Sequence, residues 1–177
     1  FIGSPNRMHV LVGPPGVGKT AYAAHLLETH LTQQPPFLGH FCSLPDGEDP
    51  LFFCSQLANQ FRALLGTEYQ LPDTINGKKI NVQVDVEQAD QHAQIIGLQI
   101  KNLNLGSIHP REAFRSLIRE PLQTYHSKFG GLPNRQPLVI VIDAVDRSWQ
   151  WDGGQGANIV NLLLDAQDLP PWVNILC

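Results

Sequence analysis

The chain has 177 residues, a formal net charge of −4 and a hydrophobic content of 42%. This length suits one α/β domain with a sizeable core. The mild acidity and scattered charges argue against a nucleic-acid partner, and no apolar run is long enough to span a bilayer. We therefore expect neither nucleic acid nor membrane among its partners.

The three cysteines, Cys42, Cys54 and Cys177, show no metal-ligand spacing, which is typical of free thiols in a reducing cytosol. The N-terminal residues contain no secretory signal, so we expect a cytoplasmic location. Residues 172–177 predict a strand that stops at the last residue. We therefore expect this chain to be truncated at its C-terminus relative to a longer protein.

The first predicted strand, residues 8–12 (MHVLV), leads directly into residues 13–20, GPPGVGKT. These eight residues fit the phosphate-binding template G-x-x-x-x-G-K-[ST] at every fixed position. Glycines without a Cβ let backbone N–H groups approach a polyphosphate, and the N-terminus of the helix predicted over 19–32 attracts anions. The predicted nucleotide-binding residues are Gly13, Pro14, Pro15, Gly16, Val17, Gly18, Lys19, Thr20 and Ala21.

Two of these residues have more specific predicted roles. The Lys19 ammonium would lie near the β- and γ-phosphates, so we assign it a catalytic as well as a binding role. The Thr20 hydroxyl is a predicted Mg²⁺ ligand.

A second strand is predicted at residues 37–42, followed by a helix. Asp49 is a good N-cap for that helix, Pro50 suits its first position, and Gly66 is placed to end it. Apolar side chains recur every four residues along it and should lie in the core. They are Phe53, Leu57, Phe61 and Leu65.

Residues 78–103 differ from the rest of the chain. Apolar and polar residues alternate over 80–86 and again over 96–100, which predicts a β-hairpin with one apolar face. Such a hairpin is an insertion in a plain βαβ repeat. We favour a decoration or a contact surface over a chemical role.

The second half returns to the α/β pattern. A helix should begin at His109-Pro110, and Pro121 should kink it or end its first half, because proline cannot donate to the Leu117 carbonyl. Residues 138–143 (LVIVID) are typical of a central parallel strand, and a helix over 158–168 precedes the last strand. We predict an α/β fold of three layers, with helices on both faces of a mostly parallel sheet.

Two acidic residues complete the predicted site. Asp143 ends its strand at the carboxyl edge, where open parallel sheets bind ligands. Since Mg²⁺ prefers oxygen ligands and keeps several waters, we predict that Asp143 and Thr20 hold it, directly or through water. Asp146 is the predicted catalytic residue that polarises the attacking water. The alternative for Asp146 is a carboxylate paired with Arg147 or solvent.

Trp149 and Trp151 follow these acids in a loop. We favour packing of both rings onto the domain over a role in covering the nucleotide or a partner.

With these residues in hand, the chain resembles the STAND class of P-loop NTPases, most closely its NACHT-like bacterial members. The resemblance rests on GPPGVGKT at 13–20, LVIVIDAVD at 138–146, Phe41-Cys42 after the second strand and the opening FIG at 1–3. It covers nearly the whole chain except the hairpin at 78–103. Arg147 stands where that class usually has a third acid, which favours slow hydrolysis.

The resemblance implies a P-loop NTPase core over residues 1–177 with an ASCE-type strand order. It implies a molecular switch that binds ATP or ADP with Mg²⁺ and hydrolyses ATP slowly. Sensing by C-terminal domains would then be coupled to self-association through the NTPase domain and to an N-terminal effector. The sensor and effector domains would lie outside this chain. Members of the class serve in cell-death, immune and antiphage signalling.

Other functions remain as alternatives. An AAA+ type mechanical ATPase has the same fold, but Ala144 stands where many fast ATPases place a water-positioning Glu after the strand-end Asp. A P-loop small-molecule kinase would need an arginine-rich lid, and arginines here are scattered. A purely structural domain is disfavoured because Lys19, Thr20 and Asp143 are all present. No Asn-Lys-x-Asp motif favours guanine, so we predict ATP.

Overall fold

A computed structural model of the chain describes residues 7–30, 35–79, 105, 108–151 and 157–177. The strands in chain order are β1 (Met8–His9), β2 (Phe37–Phe41), β3 (Thr74–Ile75), β4 (Lys78–Lys79), β5 (Leu138–Asp143) and β6 (Val173–Leu176). The α-helices are α1 (Lys19–His30), α2 (Pro50–Leu65), α3 (Pro110–Phe114), α4 (Glu120–Phe129), α5 (Val145–Ser148) and α6 (Ile159–Leu164). Short 3₁₀ segments cover Gly66–Glu68, Pro133–Arg135 and Asp165–Asp168.

The main sheet has four strands in the order β1-β6-β5-β2, and every neighbouring pair is parallel. Strand β5 is buried along its whole length. Its side chains alternate between two clusters: Leu138, Ile140 and Ile142 pack with α2, α3, α4 and α6, whereas Val139 and Val141 pack with α1. Helices therefore cover both faces of a parallel sheet, which confirms the α/β prediction.

Among the described residues, strand β2 is an edge of this sheet, and α2 contacts its outer backbone at Gly39. The Gln60 side-chain amide accepts from Gly39 N–H at 2.9 Å and donates to Gly39 C=O at 2.8 Å. An edge strand with free backbone groups invites pairing with another chain. Gln60 removes one such position, so its burial on α2 has a structural explanation.

Helix α2 begins and ends as predicted. The Asp49 carboxylate caps Leu51 N–H at 2.8 Å, Pro50 opens the helix, and Gly66 ends it with φ of 65°. The four predicted core side chains are all buried. The local capping signals were sufficient here because each acts within a few residues.

Pro121 does not end the first half of its helix, so that branch of the prediction was wrong. Residues 110–129 run continuously helical, and Arg115–Arg119 adopt the wider π-helical pattern just before the proline. A π segment accommodates a residue that cannot close the i to i−4 hydrogen bond. The buried Tyr69 hydroxyl donates to the Leu117 carbonyl and replaces the N–H that Pro121 lacks.

Several predicted boundaries also change. The predicted buried strand at 8–12 was too long: regular pairing covers Met8–His9, and Val10 and Val12 are exposed because β1 lies at the other edge of the sheet. Helix α1 covers Lys19–His30, and residues 31–32 of the predicted helix lie outside the described residues. The short helix α5 was not predicted.

The predicted hairpin at 78–103 lies mostly outside the described residues. At its beginning, β4 pairs antiparallel with β3 through a turn at Asn76–Gly77, where both residues have positive φ. Those dihedral angles suit a tight two-residue hairpin turn. Among the described helices, none is both long and apolar enough to cross a bilayer.

Candidate functional site

The loop between β1 and α1 has a backbone that only glycine adopts easily. Gly16 and Gly18 have φ of 78° and 94°, in the left-handed region. A Cβ on Gly13 would lie 3.1 Å from Val17 Cγ1, a tight contact. The loop from Pro14 to Gly18 stays exposed, so its backbone is accessible to a ligand.

Lys19 is the first residue of α1, and its side chain folds back over the loop. Its Nζ donates to Gly13 O at 2.7 Å and to Pro14 O at 3.1 Å. An ammonium group has three N–H donors. Two of them therefore hold the loop in shape, and the third is available for a phosphate oxygen.

The carboxyl ends of the central strands face this loop. A cavity of about 290 Å³ lies between α1 and the sheet. The loop and α1 contribute Gly13, Lys19, Tyr22, Ala23 and Leu26, the strand ends contribute residues 10–12, 141–143 and 176–177, and the chain after β5 contributes residues 144–146. The fold thus brings Lys19, Asp143 and Asp146 to one cavity, although more than 120 positions separate the first from the other two.

Asp143 provides the clearest sign of a ligand site. The residue is 7% exposed, and its Oδ2 atom has no hydrogen-bond partner among the described residues. A buried carboxylate oxygen without a partner costs free energy. A hydrated Mg²⁺ ion would supply the missing partner, either directly or through a bound water.

The donor set fits Mg²⁺ better than a transition metal. The described residues contain no group of three or more His, Cys, Asp or Glu side chains that could hold a metal ion. Mg²⁺ needs only one or two protein oxygens when waters and phosphates complete its octahedron. Asp143 lines the cavity and offers one such oxygen, whereas Thr20, the other predicted ligand, is exposed on the first turn of α1 and is not among the residues that line the cavity.

Ala144 follows Asp143 with φ of 55° and ψ of 39°, a left-handed conformation that non-glycine residues seldom adopt. The bend ends β5 and starts α5, whose first turn contains Asp146. Asp146 is exposed and lines the cavity. The alternative partner, Arg147, instead bonds to Glu48, with 3.4 Å between Nε and Oε1. Among the described residues, Asp146 forms no salt bridge.

The thiols next to the site are protonated. Burial, followed by the carboxylates of Asp143 and Glu48, raises the pKa of Cys42 to about 12. Burial raises the pKa of Cys177 to about 11. Since a thiolate is the reactive form of cysteine, neither is a nucleophile at neutral pH. All three cysteines are free, in agreement with the prediction.

A family model described as AAA ATPase domain matches residues 1–175. The chain belongs to the AAA ATPase domain family. No curated protein and no solved structure matches the chain. Family membership establishes a P-loop NTPase core and implies nucleotide binding, usually with Mg²⁺.

A buried histidine supports the loop beside the site of this AAA ATPase domain. His40 Nε2 donates to Gly47 O at 2.7 Å, and Nδ1 faces the Gln56 side-chain amide. Burial lowers the pKa of His40, so the ring is neutral at physiological pH. A neutral ring that donates from Nε2 accepts at Nδ1, so we assign the Gln56 amide with its NH₂ group toward the ring, in place of the Oε1 atom that lies 2.5 Å from Nδ1.

Three features of the AAA ATPase domain were missed from the sequence: the bend at Ala144, the Glu48–Arg147 ion pair and the His40 contacts. All three depend on the packing of the β2 and β5 ends, which no local pattern encodes. The predicted packing of Trp149 is not seen, since its side chain is 65% exposed. Trp151 is 37% exposed.

Proposed function

We propose that this AAA ATPase domain is the ATP·Mg²⁺-binding switch of a signalling protein of the STAND class. The observation that carries the proposal is the buried, unpartnered Oδ2 of Asp143 in the cavity that also contains Lys19. A nucleoside triphosphate and its metal ion bind where a glycine-rich loop and a strand-end carboxylate meet at one cavity. The position of β6 between β1 and β5 supports an ASCE-type strand order.

Binding uses groups that the loop already presents. The first N–H groups of α1 have no partner within the helix, and they point toward an anion at its N-terminus. The third N–H of Lys19 donates to a phosphate oxygen. Thr20 and Asp143 would hold Mg²⁺, directly or through water. The ion would supply positive charge that offsets the charge on the phosphate during transfer.

Hydrolysis depends on Asp146. The oxygen of a water attacks the γ-phosphorus, the bond to the bridging oxygen breaks, and its electron pair leaves on ADP. Asp146 orients the water and accepts its proton. Ala144 contributes no carboxylate, so a single exposed acid performs this role, and we expect slow turnover.

A slow ATPase suits a switch that stays in one nucleotide state until a signal arrives. We infer that the nucleotide state is coupled to self-association of the domain in the full-length protein, with sensor and effector domains outside this chain. The residues quoted for the STAND resemblance support this role, with defence or cell-death signalling in the cytoplasm as its setting.

The family match supports a second candidate, an AAA+ type mechanical ATPase. The two functions differ in turnover. A mechanical enzyme hydrolyses ATP continuously at the median enzyme rate of about 10 s⁻¹, whereas a switch turns over far more slowly. Steady-state phosphate release by the protein distinguishes them.

The binding site is tested by calorimetry with ATP and Mg²⁺. Lys19→Ala removes the only lysine at the cavity among the described residues, and we expect affinity to fall by about 100-fold. Lys128→Ala, an exposed lysine on α4, is the matched control and should bind like the parent. Equal affinity of Lys19→Ala and the parent would contradict the site.

The catalytic assignment is tested by phosphate release. Asp146→Asn should slow turnover by at least about tenfold while ATP binding stays nearly intact, because the amide cannot accept the proton from water. Asp165→Asn, an exposed aspartate outside the cavity, is the control. Turnover of Asp146→Asn at the parental rate would show that the catalytic assignment is wrong.

A further inference from the structure

We infer that Glu48 and Arg147 form a positioning pair that holds Asp146 in place for the attack of water on ATP. The inference rests on the proposed function, and it adds a residue from the β2 side of the sheet to a site otherwise built from α1 and the end of β5. Glu48 acts through Arg147 and does not touch the nucleotide.

The strand register explains how two distant segments meet. Strands β2 and β5 are parallel neighbours, and Phe41 pairs with Asp143. Immediately afterwards, Cys42 N–H donates to Asp143 C=O at 3.1 Å. The two chains therefore leave the sheet at the same edge, side by side. The loop after β2 lies next to the segment that carries Ala144, Asp146 and Arg147.

The loop after β2 presents Glu48 from a fixed backbone. On one side, Gly47 C=O accepts from His40 Nε2 at 2.7 Å, and a Cβ on Gly47 would lie only 2.3 Å from Phe41 O. On the other side, Asp49 caps α2. Glu48 lies between these two anchored residues, so its backbone loses little conformational entropy when the carboxylate binds a partner.

Helix α5 has four residues, and a single helical turn is unstable by itself. Its inner side is held by the core, because Ser148 is buried and Val145 packs against the main hydrophobic cluster. Its outer side, with Asp146 and Arg147, is exposed and has backbone turn bonds such as Trp149 N–H to Asp146 O at 3.2 Å. The contact from Arg147 Nε to Glu48 Oε1 at 3.4 Å ties this turn to the anchored loop.

Because Arg147 directly follows Asp146, restraining one restrains the other. Glu48 and Asp146 both act electrostatically on the Cys42 thiol, which agrees with their position near the same strand end. The ion pair restrains residue 147, and with it Asp146, whichever of the two positions carries the positive charge.

The size of the effect is limited by solvent. The side chains of Arg147 and Glu48 are 53% and 35% exposed, and exposed ion pairs contribute little to stability. The pair Lys128–Glu68 is of the same kind, with side chains 59% and 46% exposed, and involves no residue of the cavity. It provides a matched control for any general effect of losing a surface ion pair.

The first test measures ATP turnover and ATP affinity. Glu48→Gln should lower kcat by about two- to fivefold without changing the KM or the Kd for ATP. Exchanging the charges, with Glu48→Arg and Arg147→Glu together, should return kcat to within about twofold of the parent. Glu68→Gln should change neither quantity.

Unchanged kcat in Glu48→Gln overturns the inference. A lowered kcat that the charge exchange fails to restore also overturns it, since Glu48 would then act directly.

The second test needs no turnover and separates this inference from the proposed function. Amide hydrogen exchange at Trp149 and Gln150, whose N–H groups bond to Asp146 O and Arg147 O, reports the stability of α5. Glu48→Gln should speed exchange there by about two- to fivefold, and Glu68→Gln should not. If the parent does not hydrolyse ATP, the proposed catalysis fails. Faster exchange in Glu48→Gln would still support the contact of the positioning pair with α5. Unchanged exchange overturns the positioning pair whatever the turnover.

Discussion

The helix over residues 110–129 and the carboxyl edge of the sheet each contain a buried oxygen that lacks its ordinary partner. In the helix, Pro121 removes the donor for the Leu117 carbonyl, and the Tyr69 hydroxyl replaces it. At the sheet edge, Asp143 Oδ2 has no replacement among the described residues. The first irregularity is compensated within the fold, whereas the second is left open at the cavity.

This difference separates a structural feature from a binding site. A buried polar group is normally satisfied because an unsatisfied one costs about 1–3 kcal/mol. Because Asp143 lines a cavity, the free energy lost at its Oδ2 would be recovered when a ligand binds there. The helix should therefore matter for stability alone, and the sheet edge should matter for ligand binding at some cost in stability.

The largest expected effect on stability is in the helix. Tyr69→Phe leaves the Leu117 carbonyl without a donor in a fully buried position, so the free energy of unfolding should fall by about 2 kcal/mol. Nucleotide affinity should not change. Denaturant unfolding and calorimetry measure the two quantities. Tyr125→Phe is the control, because the Tyr125 hydroxyl makes no hydrogen bond to any described residue. Equal losses in both variants would contradict the compensation.

The cause of the helix irregularity can be tested by restoring the missing donor. Alanine at position 121 has an N–H that can bond to Leu117, so Pro121→Ala should reduce the cost of Tyr69→Phe by about 1 kcal/mol. Denaturant unfolding of the two single variants and the double variant measures this coupling. Strictly additive effects would mean that Tyr69 and Pro121 do not share the Leu117 carbonyl.

The carboxyl edge should respond in the opposite direction. Asp143→Asn replaces a buried carboxylate, whose Oδ2 has no partner among the described residues, with a neutral group, so the free energy of unfolding without nucleotide should rise by about 1 kcal/mol. Thermal unfolding measures it. Asp146→Asn, at an exposed position, should change stability by less than about 0.5 kcal/mol. A clear loss of stability in Asp143→Asn would mean that the carboxylate already has a partner.

The smallest effect concerns the loop after β2, which His40 supports. Because burial lowers the pKa of His40 below its usual value of 6.5, the unfolded chain takes up a proton at higher pH than the folded one. The stability that neutral His40 contributes is therefore present above pH 6.5 and declines as the pH falls below it. Unfolding free energies measured from pH 7 to pH 5 should decline less steeply in His40→Gln. His25→Gln, an exposed histidine, should keep the parental slope.

Local signals in the sequence predicted much of the fold. The template at 13–20, the cap at Asp49, the stop at Gly66 and the apolar run ending in Asp143 all act over a few residues, and the structure places these elements accordingly. The effect of Pro121 was predicted only in part. Its missing N–H follows from the sequence, but the compensation by Tyr69 comes from 48 residues away.

The candidate site was predicted less completely, for the same reason. Lys19, Asp143 and Asp146 follow from motif and strand position. The bend at Ala144 and the contact of Arg147 with Glu48 depend on how the ends of β2 and β5 pack. Their tertiary environment selects these conformations over the local preference of each residue. The predicted hairpin at 78–103 stays a prediction, since it lies mostly outside the described residues.

The most direct test of the central claim is the effect of Mg²⁺ on ATP affinity. Calorimetry with and without Mg²⁺ should show that the ion tightens ATP binding to the parent protein by at least about tenfold, or 1.4 kcal/mol. In Asp143→Asn, whose side chain no longer offers a carboxylate, most of that gain should disappear while Mg²⁺-free binding is retained. An equal gain from Mg²⁺ in both proteins would contradict the assignment of the unpartnered Asp143 oxygen to the metal.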